Sequence, residues 1–178
     1  MTILSDTLHI PGWTRPLRIP AALPLSHADP PIAIAGEVGA WRLPFALGAP
    51  VAAGEVLAVQ FFGGRNNRIT FHTLQCEHPD ESGYLAATDP DGQPLILQPG
   101  GRPGTFLVTV PHALATGETI TVSLRARVDP VRLLNKFCVL YRPTPQALPP
   151  TWTEANADQL LAACTMHVLG GALHHLQR

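Results

Sequence analysis

Val56-Leu-Ala-Val-Gln-Phe-Phe-Gly-Gly-Arg-Asn-Asn-Arg-Ile-Thr-Phe-His-Thr73 is the stretch that decides how the chain is read. In an extended strand Leu57, Val59 and Phe61 share one face, and Val56, Ala58, Gln60 and Phe62 share the other. The insert that follows, Gly63-Gly-Arg-Asn-Asn67, is longer than the two-residue Asn-Gly or Gly-x turns of the tightest hairpins. A dense polar segment comes next, Gln75-Cys-Glu-His-Pro-Asp-Glu-Ser82. A strand leads here into the part of the chain richest in groups capable of chemistry.

The same alternation recurs on both sides. Trp41, Leu43, Phe45 and Leu47 alternate with smaller or polar residues, and Pro44 pushes this strand towards an edge. Gly83 to Thr88 and Pro94 to Gln98 flank Asp89-Pro-Asp-Gly92, in which proline presets the second turn position and glycine supplies positive φ. Strands follow at Thr105–Val110, Glu118–Ala126 and Lys136–Tyr141. Short β-rich runs at this spacing point to an all-β fold, expected as a two-sheet antiparallel β-sandwich of immunoglobulin-like or jelly-roll type. Ala52-Ala-Gly-Glu-Val56 and Ala115-Thr-Gly-Glu-Thr119 echo each other before two of the strands, an echo too short to define a repeat unit.

Three parts are expected. Residues 1–35, with Pro11, Pro16, Pro20, Pro24, Pro30 and Pro31, form a proline-rich extended arm packed on the sandwich, with an edge strand near Ile32-Ala-Ile34. Residues 36–142 form the core. Residues 143–178 form a proline-rich linker and terminal strand, the start of a following domain. Within that tail, Thr151-Trp-Thr-Glu154 matches a capping box. Residues 152–166 therefore read either as a short C-terminal helix with Leu160, Ala163 and Cys164 inward, or as an extended linker to a strand at Met166–Leu169.

Composition excludes several function classes. The 178 residues carry a formal net charge of −1, and only 14% are charged, so no basic excess exists to neutralise nucleic-acid phosphates. No apolar run reaches membrane-span length, and the N-terminus lacks the basic and apolar regions of a signal peptide. A cytoplasmic protein without membrane or nucleic-acid partners is expected. The odd cysteine count (Cys76, Cys138 and Cys164) argues against a disulfide framework. Cys138 and Cys164 lie in apolar sequence and read as small core residues.

Two sets of residues carry the candidate chemistry. Arg65, Asn66, Asn67 and Arg68 form a loop suited to a sugar or an anion. His72, Cys76 and His78 would share a face of an unbroken strand, a nitrogen and sulfur set suited to zinc. The His-x5-His spacing, however, fails the His-x-His pattern of metal-binding cupin barrels. His174-His175 points to opposite strand faces, and His112, Asp89 and Asp91 read as turn residues. With no Gly-x-Ser-x-Gly elbow in the chain and no helix after either Gly-Gly pair, no catalytic residue and no cofactor are assigned.

The order of landmarks resembles a known family. These are Gly36-Glu-Val-Gly-Ala-Trp41, the strand ending in Phe61-Phe62, Gly83-Tyr84, the Asp91-Gly92 turn, Thr116-Gly117 before Ile120-Thr-Val-Ser-Leu124, Lys136-Phe-Cys138 and His167-Val-Leu-Gly-Gly-Ala172. Together they are similar to the N-terminal β-sandwich of a bacterial domain-of-unknown-function family. Its full-length members place immunoglobulin-like front domains ahead of a PHP-like metal-dependent hydrolase region. The resemblance implies a non-catalytic front domain with a structural or substrate-positioning role, whose partners are downstream domains of the same polypeptide. The hydrolase region's histidine and aspartate motifs are absent, so no catalytic residue carries over. The family layout also makes 63–82 a long polar connection with a short strand at Ile69–Leu74. A free-standing carbohydrate-binding module using loop 63–82 and a small zinc-dependent β-barrel enzyme are the alternatives.

Overall fold

The computed structural model describes residues 7–8, 17–18, 24–34, 36–62, 74–101, 104–128, 134–143 and 159–169. Eleven strands account for most of them: β1 (Thr7–Leu8), β2 (Leu17–Arg18), β3 (Leu25–Ile34), β4 (Val38–Ala46), β5 (Val56–Phe62), β6 (Tyr84–Thr88), β7 (Pro94–Pro99), β8 (Thr105–Thr109), β9 (Thr119–Arg127), β10 (Leu134–Tyr141) and β11 (Leu160–Leu169). β1 and β2 pair with each other. The other nine close a barrel in the order β10-β11-β3-β4-β9-β6-β7-β8-β5, with β5 returning to β10. No helix among the described residues is long and apolar enough to cross a membrane.

The all-β class agrees with the sequence reading, and the two-sheet sandwich does not. A sandwich has four free strand edges; here two seams join what would have been separate sheets. One is a single β3–β4 pair, Asp29↔Arg42. The other is the β6–β7 hairpin, with Ala87↔Leu95 and Thr88↔Pro94 around a turn whose Gly92 has φ 79°. Closure removes the exposed edges that an open sheet must otherwise protect.

Prolines explain why the first seam is thin. Pro30 and Pro31 have no N–H, and the β3–β11 ladder breaks between Thr165↔His27 and His167↔Ile32. On β4, the Pro44 carbonyl accepts the Ser26 hydroxyl of β3. The N–H and C=O of one extended residue point the same way, so the donor that Pro44 lacks would also have faced β3. Pro44 thus marks a seam, where the sequence suggested an edge.

β3 and β11 both lie outside the 36–142 core expected from sequence, and the barrel spans Leu25 to Leu169. From Leu160 onward β11 decides between the two readings of 152–166 in favour of the extended one: residues 160–169 form a strand, antiparallel to β10 and parallel to β3. Its Leu-Leu-Ala-Ala-Cys run lacks a two-residue period because residues 160–164 are buried on both faces. A bulge at Leu161 adds to this, since Leu140 pairs with Ala162 and Tyr141 with Leu160.

The interior is one apolar mass. Leu57, Val59 and Phe61 of β5 meet Trp41, Leu43 and Phe45 of β4, Phe106 and Val108 of β8, and Ile120, Val122 and Leu124 of β9. Phe61 and Phe106 pack edge to face with ring centroids 6.4 Å apart. On the outer face of β9, Ser123, Arg125 and Arg127 are exposed. Apolar inside and polar outside is the inverse of a lipid-facing barrel.

Two turns close one end of the barrel and grip each other. Val51 and Leu114 exchange both main-chain hydrogen bonds at 2.9 Å. Around them three further contacts occur twice. Gly54 N–H donates to Val110 O (2.7 Å) and Gly117 N–H to Leu47 O (2.8 Å). Val110 N–H donates to Glu55 O (3.0 Å) and Leu47 N–H to Glu118 O (2.8 Å). The Glu55 carboxylate accepts Ala52 N–H, and the Glu118 carboxylate accepts Ala115 N–H. The echo noted in the sequence is thus the mark of a local two-fold. Exchanging β3 with β7, β4 with β8, β5 with β9 and β6 with β10 reproduces the strand order, with β11 as the added strand.

Gly54 and Gly117 have φ of 80° and 89°, and a Cβ at either would meet no atom within 4 Å. Gly54→Ala and Gly117→Ala should therefore each lower stability by about 1–2 kcal/mol through backbone conformation alone. Urea unfolding with an unchanged m-value checks this, and a loss of only a few tenths would show that the turns relax. The Glu55 copy is also held by Arg142, whose Nε donates to Oε1 at 2.6 Å. Burial alone would raise the Glu55 carboxyl; the Ala52 N–H and Arg142 outweigh it and keep the group below its ordinary 4.5. A depressed carboxyl stabilises the fold above its unfolded pKa and loses that effect as pH falls through the folded value. Glu55→Gln should cost about 1 kcal/mol at pH 7. The deficit should close in melts taken in increasingly acidic buffer below about pH 4.

Candidate functional site

The polar segment between β5 and β6 is described from Leu74 onward, and there it is a tightly bonded loop. Gln75 organises it. Its main chain bridges to β6, with Gln75 N–H donating to Gly83 O (2.9 Å) and Leu85 N–H to Gln75 O (2.8 Å). Its side-chain Oε1 accepts the N–H groups of both Glu77 and His78 at 2.8 Å, and its Nε2 donates to His78 O at 2.8 Å. Glu81 N–H closes a turn on His78 O (3.1 Å), Arg125 Nη1 donates to Asp80 O (3.2 Å), and Arg127 N–H donates to Ser82 Oγ (3.1 Å). One amide side chain and the outer face of β9 therefore fix the backbone that presents Glu77, His78, Asp80 and Glu81 to solvent.

This placement separates the residues that an unbroken strand would have aligned. Cys76 and His78 belong to the loop, with the Gln75 amide beneath them, so they share no sheet face. Burial, with the Glu77 charge adding to it, pushes the Cys76 thiol up, which keeps it protonated and a poor zinc ligand or nucleophile at neutral pH. His72 lies outside the described residues, as do Arg65, Asn66, Asn67 and Arg68 and, of the expected strand Ile69–Leu74, residues 69–73; Leu74 itself is not in a strand. Among the described residues no three His, Cys, Asp or Glu side chains are placed to hold a metal ion.

A second polar centre is one that the sequence reading passed over. Asp89, at the end of β6, is 3% exposed. Its Oδ1 accepts the N–H groups of Asp91 (2.9 Å) and Gln93 (2.8 Å), which shapes the β6–β7 turn. Its Oδ2 lies 3.3 Å from Nε2 of His112, a half-exposed residue on the β8–β9 connection. The approach brings the β6–β7 turn next to the β8–β9 connection, with Asp89 Oδ2 buried and making no hydrogen bond among the described residues. The signal available was Asp89 three places before a turn glycine; its burial and its partner depend on barrel closure. On the outer face, His27 and His167 bring their rings to 6.3 Å across β3 and β11, and His27 Nδ1 lies 2.7 Å from Thr165 Oγ1. His174 and His175 lie outside the described residues.

No protein-family model matches this chain, and no curated protein matches it significantly.

Asp89→Ala would leave two turn N–H groups without their charged acceptor, an expected loss of roughly 3 kcal/mol. His112→Ala, which removes a partner half in solvent, should cost less than about 1 kcal/mol. Equilibrium unfolding of both variants checks the order, and equal losses would mean that the His112 contact, and not the turn, holds Asp89.

Proposed function

We propose that this chain is a non-catalytic β-barrel module that serves as the front part of a larger metal-dependent hydrolase, in a structural or substrate-positioning role. The solid apolar interior supports this reading most directly. Phe45, Leu57, Leu85, Ile120, Leu124, Leu140 and Leu161 are among the largest fully buried side chains. They fill the volume in which ligand-binding barrels hold a small molecule. Chemistry is left to the surface, where the best-organised polar element is the loop around Gln75. A cytoplasmic setting belongs to the proposal and fits the free thiols at Cys76, Cys138 and Cys164.

A second reading, a carbohydrate-binding module using loop 63–82, draws on the same loop. Its Gln75–Ser82 part is held in place before binding, which avoids the entropy cost of ordering that segment around a sugar. The zinc-enzyme alternative has less behind it, because the Cys76 thiol is pushed up by burial.

Two measurements separate these readings. The module reading expects the open reading frame to continue past Arg178 into a segment rich in His-x-His and Asp; a stop codon there would overturn it. The carbohydrate reading expects retention on immobilised glycans that Arg65→Ala or Asn67→Ala abolishes without moving Tm. A wild-type chain that flows through every glycan column would end it.

A further inference from the structure

Cys138 and Cys164 stand directly opposite each other in the β10–β11 ladder, and both belong to the barrel interior. Ala163 N–H donates to Pro24 O (3.0 Å) on the β3 side. The main-chain groups of the next residue, Cys164, therefore turn towards β10, which makes Cys138–Cys164 a hydrogen-bonded pair. In such a pair the Cα atoms lie about 5.5 Å apart. That Cα separation is within the range a disulfide spans, while the Cβ atoms of a hydrogen-bonded pair stand at the wide end of about 4.5–5.5 Å, so closing the bridge draws the two strands together by about 1 Å. Cys138 Sγ lies 3.7 Å from Cys164 O. Both thiols are free.

We propose that Cys138 and Cys164 are a redox modification site, forming a reversible intramolecular disulfide when the protein meets a hydroperoxide. The Cys164 thiolate attacks the peroxide oxygen; the O–O bond breaks, and Cys164 becomes a sulfenic acid as hydroxide leaves and takes up a proton. Cys138 sulfur then attacks Cys164 sulfur, the S–S bond forms, the S–O bond breaks, and the Cys138 proton leaves with the departing oxygen as water. The two thiols give up two electrons and two protons, and hydrogen peroxide is reduced to water.

The surroundings favour that order. The hydrogen bond from Cys138 lowers Cys164 against the effect of burial, and the Ser26 hydroxyl adds to the lowering. Burial pushes Cys138 well up, with Cys164 adding to it, so Cys164 is the thiol that attacks the peroxide and Cys138 reacts only as its proton passes to the departing oxygen. Access has a natural route. Cys164 lies beside Ser26 of β3, and β3 is held to β4 by the single pair Asp29↔Arg42. The seam with the fewest ladder bonds is the one whose local opening costs least. The bridge would fix β11, the strand with no counterpart in the two-fold, to its neighbour.

The test is a hydrogen peroxide titration of the full chain carrying Cys76→Ser, which removes the half-buried third thiol. Peptide mapping should find a Cys138–Cys164 cross-linked peptide that dithiothreitol reverses. The oxidised monomer should melt roughly 5–10 °C higher. Cys164→Ala should abolish sulfenic acid trapping by dimedone, whereas Cys138→Ala should retain it at Cys164. Sulfinic acid at Cys164 without the cross-link, disulfide-linked dimers in its place, or an oxidised monomer that melts lower would overturn the proposal. So would thiols unchanged at peroxide concentrations that fully oxidise Cys76 in the unsubstituted protein.

Discussion

The exchange of hydrogen bonds between Val51 and Leu114 joins the two halves of the barrel. β4 enters the first turn and β5 leaves it; β8 enters the second and β9 leaves it. β5 then pairs with β8, and β4 with β9, so each half hands one strand to the other. Neither half can close its own sheet. The turns need glycine for positive φ and glutamate to accept the N–H three residues back, and both appear at equivalent places. A short sequence echo therefore carries a long-range constraint.

Given that interlock, the two seams follow. β6 folds back on β7 through a turn built on Asp89, and β3 meets β4 where prolines remove the donors of a longer ladder. Weak edges are tolerable because the apolar interior is shared. Phe45, Leu57, Val108 and Ile120, from four different strands, are all fully buried. The barrel is held together by its filling more than by continuous main-chain pairing around its circumference.

The local structure was legible because burial on one face gives period two. β5 and β9 place inward the residues that alternation assigns, and the Asp89–Gly92 turn forms as its residues require. Closure was not legible, since strands of a sandwich and of a barrel show the same alternation and differ only in which edges meet. β11 was hidden for the opposite reason: Leu160 to Cys164 are buried on both faces, so the period vanishes and a helix competes. In the candidate site, the polarity of Gln75–Ser82 marked a loop. The role of Gln75 as its organiser depends on the register of β6 and β9, and the meeting of Asp89 with His112 depends on closure. Neither can be read from spacing.

The position of β11 bears on the order in which the ribosome's product can assemble. β3 is the first barrel strand to be made, yet six of its residues find their main-chain partners only in β11, the last. Until then its tie to the rest of the sheet is Asp29↔Arg42, and Ile32 and Ile34 sit on an unpaired edge. Pairing across so much chain is slow, and an open apolar edge is a site for wrong partners while it lasts. The nascent chain thus carries its earliest strand as a loose end, to be secured by its latest.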